Sequence, residues 1–148
     1  MIRPATIEDI PRLAAMGETF LLQSQYQKVF PFSPESIHQL LTTLISSDTA
    51  LVLVSDRDGV DGAIGMYLYE HPMSGETVAG EAFWWMSPER RGGPQALRLL
   101  RRAEAWVKSH GVPWFHMVSP NDRVSKLYTR MGYQPLETHF YRFADGAS

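Results

Sequence analysis

Residues 87–100, SPERRGGPQALRLL, set two arginines, two glycines and a proline between an aromatic run, EAFWWM, and a helical pattern. A strand, a glycine turn and a helix in that order aim main-chain N–H groups at an anion. The first turn of a helix leaves its N–H groups unpaired, and the macrodipole adds partial positive charge there. Gly92 and Gly93 allow a bulky ligand close to the backbone, and Pro94 suits the first helical position. The stretch lacks the Lys-Ser/Thr ending of a Walker loop and the spacing of a dinucleotide fingerprint. What remains is a diphosphate held by main-chain donors, or a turn that merely starts a helix. The stretch alone leaves these two readings even.

Other residues carry chemistry with less definition. Asn121 is a strong N-cap type at the start of NDRVSKLYTRM. Tyr128 shares a helix face with Val124, Leu127 and Met131, which by itself reads as core. The absence of cysteine removes a thiolate metal site, a cysteine nucleophile and a disulfide scaffold. His38, His71, His110, His116 and His139 have no metal-ligand spacing, and His116 reads as structural. Trp84 and Trp85 point to opposite faces of their strand, one toward a pocket and the other under a helix.

The elements that must position these groups follow from periodicity. MIRPAT is a short opening strand. Thr6 caps a helix over IEDIPRLAAMGETFLL, with Pro11 marking a kink or restart. Ser33 and Pro34 open a second helix, with Ile37, Leu40, Leu41 and Leu44 on one face. TALVLVSD, AIGMYLYE and TVAGEAFWWM read as strands, with turns at RDGVDG and HPMSG. Residues 95–110 return to helical period, with Ala96, Leu99, Leu100, Ala103, Trp106 and Val107 as the apolar stripe. WFHMVS is a strand, the Asn121 helix ends at Gly132, and YQPLETHFYRF is expected to form a bent final strand or hairpin. The order implies one α/β (α+β) domain over residues 1–148 with a mixed sheet.

Composition limits the class. At 148 residues the chain can bury a proper core, and 44% hydrophobic against 20% charged residues is ordinary globular composition. A net charge of −2 gives no general attraction to nucleic acid. No apolar run approaches the ~20 residues of a membrane span. The opening segment lacks the apolar centre of a signal peptide, so a cytoplasmic address is expected.

SPNDRVSKLYTRMGY resembles the second signature of the GNAT superfamily, the GCN5-related N-acetyltransferases. There an Asn opens a helix, a Tyr follows seven positions later, and a Gly-aromatic pair closes it: Asn121, Tyr128, Gly132 and Tyr133 here. The glycine stretch then resembles that family's acetyl-CoA pyrophosphate loop, Q/R-x-x-G-x-G/A, running from Arg91 to Ala96. MIRPATIEDIPRL looks like a common GNAT opening, and the run WWM-PERRGG is similar to short GNATs of bacteriophages.

The resemblance implies a mostly antiparallel sheet flanked by about four helices, with a splayed strand pair as the acyl-CoA cleft. It also implies acetyl-CoA as co-substrate without a metal, and an amine acceptor, small molecule or peptide. No nucleic acid or membrane partner is expected, and homodimerisation is left open. The cofactor would meet Arg91, Gly92, Gly93, Gln95, Ala96 and Asn121, with an oxyanion donor near Met86. Tyr128 would protonate the leaving thiolate; a step from pKa ~10 to ~8.5 is uphill by only ~2 kcal/mol. Glu81 stands near the place of a carboxylate base, with a surface charge at the strand edge as its alternative. One departure matters: Pro94 replaces the loop's first glycine and has no N–H to give. Losing one charge-assisted hydrogen bond costs about 1.5–3 kcal/mol. That departure keeps two other readings open: a non-catalytic acyl-CoA sensor or interaction module, and an interaction protein that retains the fold as scaffold.

Overall fold

The computed structural model describes residues 1–146. Five strands lie in sequence order across one sheet: β1 (Ile2–Pro4), β2 (Ala50–Asp56), β3 (Val60–Glu70), β4 (Thr77–Met86) and β5 (Phe115–His116). The first four pair antiparallel, and β5 pairs parallel to β4. The helices are α1 (Ile10–Leu22), α2 (Pro34–Ser46), α3 (Pro94–Ser109) and α4 (Asp122–Arg130). No helix among the described residues is long and apolar enough to cross a membrane.

Alternation along the strands builds two cores. Val52, Val54, Ala63 and Phe83 face α1 and α2, where Ile10, Leu13, Met16, Leu41 and Leu44 meet them. Leu53, Ile64, Met66, Ala79 and Met86 face the other way, onto Leu99, Leu100, Ala103 and Val107 of α3 and Tyr128 of α4. The central strands are therefore apolar on both faces, and a run such as ALVLV carries no polar alternation. Leu40, expected on the buried face of α2, is 40% exposed and borders a cleft.

Local chemistry sets the ends of elements. Pro11 restarts the first helix: a 3-10 turn at residues 7–9 precedes α1, and the Thr6 N–H donates to the Asp9 carboxylate at 2.8 Å. Asp58 and Gly59 turn β2 into β3 with positive φ, so β3 begins inside the expected turn RDGVDG. The expected final strand is absent among the described residues: 134–143 has no regular structure. Pro135 cannot donate to a ladder, and Leu136, Phe140 and Tyr141 point into solvent. The packed chain closes at Tyr133, whose hydroxyl donates to Glu104 at 2.7 Å.

Candidate active site

β4 and β5 share only two register pairs, Ala79 with Phe115 and Gly80 with His116, and then part. A bulge helps to open this gap. Gly65 pairs with Phe83 and Met66 with Glu81, so Ala82 is the extra residue that bends β4. The Glu81 side chain lies in the opening, where Oε1 accepts the Val118 N–H at 3.0 Å. The Tyr128 hydroxyl reaches in from α4, 3.2 Å from the Val118 carbonyl and 3.5 Å from the same Glu81 oxygen. Burial pushes the Glu81 carboxyl up to about 7, although the Val118 and Tyr128 donors oppose the shift. Burial and the Glu81 charge push Tyr128 above the ordinary tyrosine range.

The far end of β4 presents main-chain groups. The Ser87 N–H donates to the Asp61 carbonyl at 2.9 Å, which makes that pair hydrogen-bonded and its neighbour Gly62–Met86 non-bonded. By alternation the N–H groups of Met86 and Trp84 point away from β3, toward the gap. Met86 lies roughly 15 Å along the strand from Glu81, at ~3.3 Å per residue. The Trp84 amide is nearer, and its ring stacks on Tyr128 with centroids 6.2 Å apart.

Beyond Met86 the chain makes a 3-10 turn at residues 88–90 and enters α3 at Pro94. Gly92 has φ +78°, and a Cβ there would collide with the Nη2 of Arg123 from α4. Arg123 makes no hydrogen bond or ion pair among the described residues, so an unpaired guanidinium lies over the glycine turn. Among the described residues the N–H groups of Gly92, Gln95 and Ala96 have no main-chain partner.

A cleft of about 500 Å³ opens on the α2 side of the sheet, lined by Leu40, Thr43, Leu44, Tyr67, Glu81 and Ala82 among others. Tyr67 is pushed up by burial first and then by the charges of Tyr69 and Glu81. Glu81 thus faces both the cleft and Tyr128.

The profile of the acetyltransferase (GNAT) family matches residues 19–133. The chain belongs to that family. Solved structures with the same fold include a point mutant of a Bacillus halodurans protein (TM-score 0.79, 16% identity, covering 95% of this chain and 97% of that one). A predicted acetyltransferase with acetyl-CoA from Clostridium acetobutylicum superposes with TM-score 0.78 at 13% identity, covering 95% and 94%. An aminoglycoside 6'-N-acetyltransferase from Acinetobacter haemolyticus gives 0.72 at 20% identity, covering 95% of each chain. No curated protein matches the sequence.

Within this GNAT chain the residues singled out from sequence fall into two groups. Glu81 and Tyr128 meet at the strand gap, and Glu81 is not a surface charge. Gly92, Gly93, Gln95, Ala96 and Arg91 gather at the N-terminus of α3, with Met86 beside them. Several are engaged otherwise than expected. The Gly93 N–H donates to the Arg90 carbonyl at 3.3 Å. The buried Gln95 side chain accepts from Arg98 at 3.3 Å. Arg91 donates to the Met86 carbonyl at 3.3 Å and to Gln23 at 2.8 Å, and Arg90 pairs with Asp61 at 3.5 Å. Asn121 caps α4 through Val124 at 3.0 Å. His116 accepts or donates to Tyr69 at 2.8 Å, in keeping with a structural role.

Sequence reasoning passed over Arg123 and the Trp84 amide. A signal for Arg123 existed: a cation in the first turn of a helix opposes the macrodipole. The outward direction of the Trp84 N–H depends on pairing register, which the sequence does not print.

Proposed function

We propose that this protein transfers an acetyl group from acetyl-CoA to a primary amine by direct attack of the amine nitrogen on the thioester. The observation that carries the reading is Glu81, a half-buried carboxyl in the β4–β5 gap that lines the acceptor-side cleft and lies beside the Tyr128 hydroxyl. A general base works best with a pKa near the working pH, and burial puts Glu81 there.

Acetyl-CoA, when bound, supplies an activated acyl group. The free N–H groups of Gly92, Gln95 and Ala96 and the Arg123 guanidinium suit its diphosphate. The outward N–H of Met86 suits the pantetheine arm, and that of Trp84 the thioester carbonyl. Glu81 takes one proton from the arriving ammonium, leaving a neutral amine. The N–C bond forms and the C–S bond breaks. Tyr128 gives its proton to the departing sulfur and regains one from Glu81. The remaining proton on nitrogen then passes through Glu81 to solvent, so the net products are amide, thiol and one proton. Burial first, and the Glu81 charge second, make Tyr128 a weaker acid than an ordinary tyrosine, so its proton step costs more than the ~2 kcal/mol expected from reference values. Proton uptake by Glu81 removes the second cause only.

Pro94 favours a second reading, acyl-CoA binding without turnover, because it deletes one donor from the loop. Incubation with acetyl-CoA and a panel of primary amines, followed by thiol release, tests the first reading. Calorimetry with CoA tests the second. Binding without thiol release from any amine would leave only the sensor reading.

A further inference from the structure

Five aromatic rings occupy the α2-side face of the sheet next to Glu81. Tyr67, Tyr69 and His71 alternate along β3 and its end, and Trp114 and His116 alternate into β5, all on the face opposite Phe115. Neighbouring centroids are 5.4 Å apart for Tyr67–Tyr69, 5.8 Å for Tyr69–His116 and 5.5 Å for His71–Trp114. Gly80 lies between Tyr67 and His116 in the register. A Cβ there would stand 2.5 Å from the His116 ring and 3.2 Å from the Tyr67 hydroxyl. The bare glycine lets the rings of β3 and β5 close over β4 as one continuous surface.

This surface is half-buried and adjoins the cleft through Tyr67, which belongs to both. Burial lowers the pKa of His116 and raises that of Tyr67, so the two rings that flank Gly80 favour their uncharged forms. Among the residues that line the cleft, Glu81 is the one carboxylate. A polycationic acceptor needs several carboxylates to replace lost water, and the cleft lining has only this one; the Glu137 charge that acts on His116 sits on the exposed segment outside the cleft. An amine with a planar ring has both its needs met: ring faces to stack on, and one carboxylate beside them for its ammonium, aided by cation–π attraction on the approach.

We propose that the acceptor is an arylalkylamine, a monoamine whose aromatic ring packs at the Tyr67–His116 end of this wall, with Tyr69 and Trp114 behind it, while its amino group reaches Glu81. The proposal rests on the acetyl-transfer reading for its chemistry, but the wall can be tested by binding alone. With acetyl-CoA present, 2-phenylethylamine and tryptamine are expected to give kcat/KM at least ~10-fold above butylamine, spermidine and kanamycin. Trp114→Ala is expected to lower the phenylethylamine-to-butylamine ratio by ~10-fold through KM, and Trp114→Phe to restore most of it. Thermal midpoints of both variants check that they fold. A preference for spermidine or kanamycin, or an equal loss for all amines in Trp114→Ala, would overturn the assignment. If no amine is acetylated, phenylethylamine binding in the presence of CoA decides: saturable quenching of tryptophan fluorescence, weakened in His116→Ala, upholds the wall without the chemistry. Absence of binding sinks it.

Discussion

Oε1 of Glu81 lies 3.5 Å from the Tyr128 hydroxyl and 3.0 Å from the Val118 amide nitrogen, so β4, α4 and the segment after β5 meet at one oxygen. The Tyr128 contact is at the outer limit of a hydrogen bond, and the shorter bond of that hydroxyl goes to the Val118 carbonyl at 3.2 Å. Tyr128 is thus anchored by the Val118 carbonyl and held near Glu81 without being locked to it.

The pH dependence follows from the raised carboxyl. Glu81 must be ionised to take a proton, so kcat/KM should rise with pH through a midpoint near 7. Glu81→Gln should remove that limb and lower the rate by ~10²–10⁴-fold, the range for a lost base. Rate profiles of both proteins against a single amine separate this limb from ionisation of the amine itself. A wild-type limb centred near 4.5 would mean that the carboxyl is solvated.

Stability carries the opposite signature. A carboxyl raised above its unfolded value favours the folded state in its neutral form. That contribution is present below about pH 4.5 and is lost as pH rises through about 7. Glu81→Gln keeps an oxygen for the Val118 N–H and has no charge to bury. It should therefore leave stability nearly unchanged at pH 4.5 and raise it at pH 8, by on the order of 3 kcal/mol. Thermal melts of the two proteins at both pH values check the sign. Activity and stability should move in opposite directions in one variant, as expected of a strained functional group.

Tyr128→Phe isolates the hydroxyl from the ring. The ring packs against Trp84 and Tyr133 with centroids 6.2 and 5.1 Å away, and phenylalanine keeps those contacts. Turnover should fall by ~10²–10⁴-fold while CoA affinity stays constant. The lost bond to the Val118 carbonyl should cost about 0.5–1.5 kcal/mol of stability. An unaltered kcat, with chemistry shown to be rate-limiting, rules out the acid role.

How much of this was legible in the sequence depended on whether the cause was local. The apolar stripe of α3 appears in the periodicity, and Leu99, Leu100, Ala103 and Val107 are all fully buried. Glycine 92 and the helix start at Pro94 were readable because turn chemistry is local. The surface status of Glu81 was not, since its burial depends on Val118 and Tyr128, 37 and 47 residues away. The bulge at Ala82 is likewise a property of pairing with β3. The tail misled: YQPLETHFYRF has strand-like composition, but a strand needs a partner, and residues 134–143 find none in the sheet.

Arg123 of α4 lies over Gly92 in the turn that leads into α3, so the two positions are coupled. With Pro94 lacking an N–H, with Gly93 bonded to Arg90 and with Arg91 held by Met86 and Gln23, the unpaired Arg123 is the cation best placed for the diphosphate. Arg123→Ala should weaken CoA binding by ~10-fold or more, about the loss of one charged hydrogen bond, and flatten the salt dependence of binding. Its exposed position predicts little change in thermal midpoint. Gly92→Ala meets two penalties: the positive φ, about 1–2 kcal/mol, and the collision with Arg123. Adding Arg123→Ala removes the collision and leaves the strain. The double variant should therefore be more stable than Gly92→Ala alone, a coupling that melts of the four proteins measure directly. Additive melts together with unchanged CoA affinity in Arg123→Ala would dismiss Arg123 as a phosphate ligand.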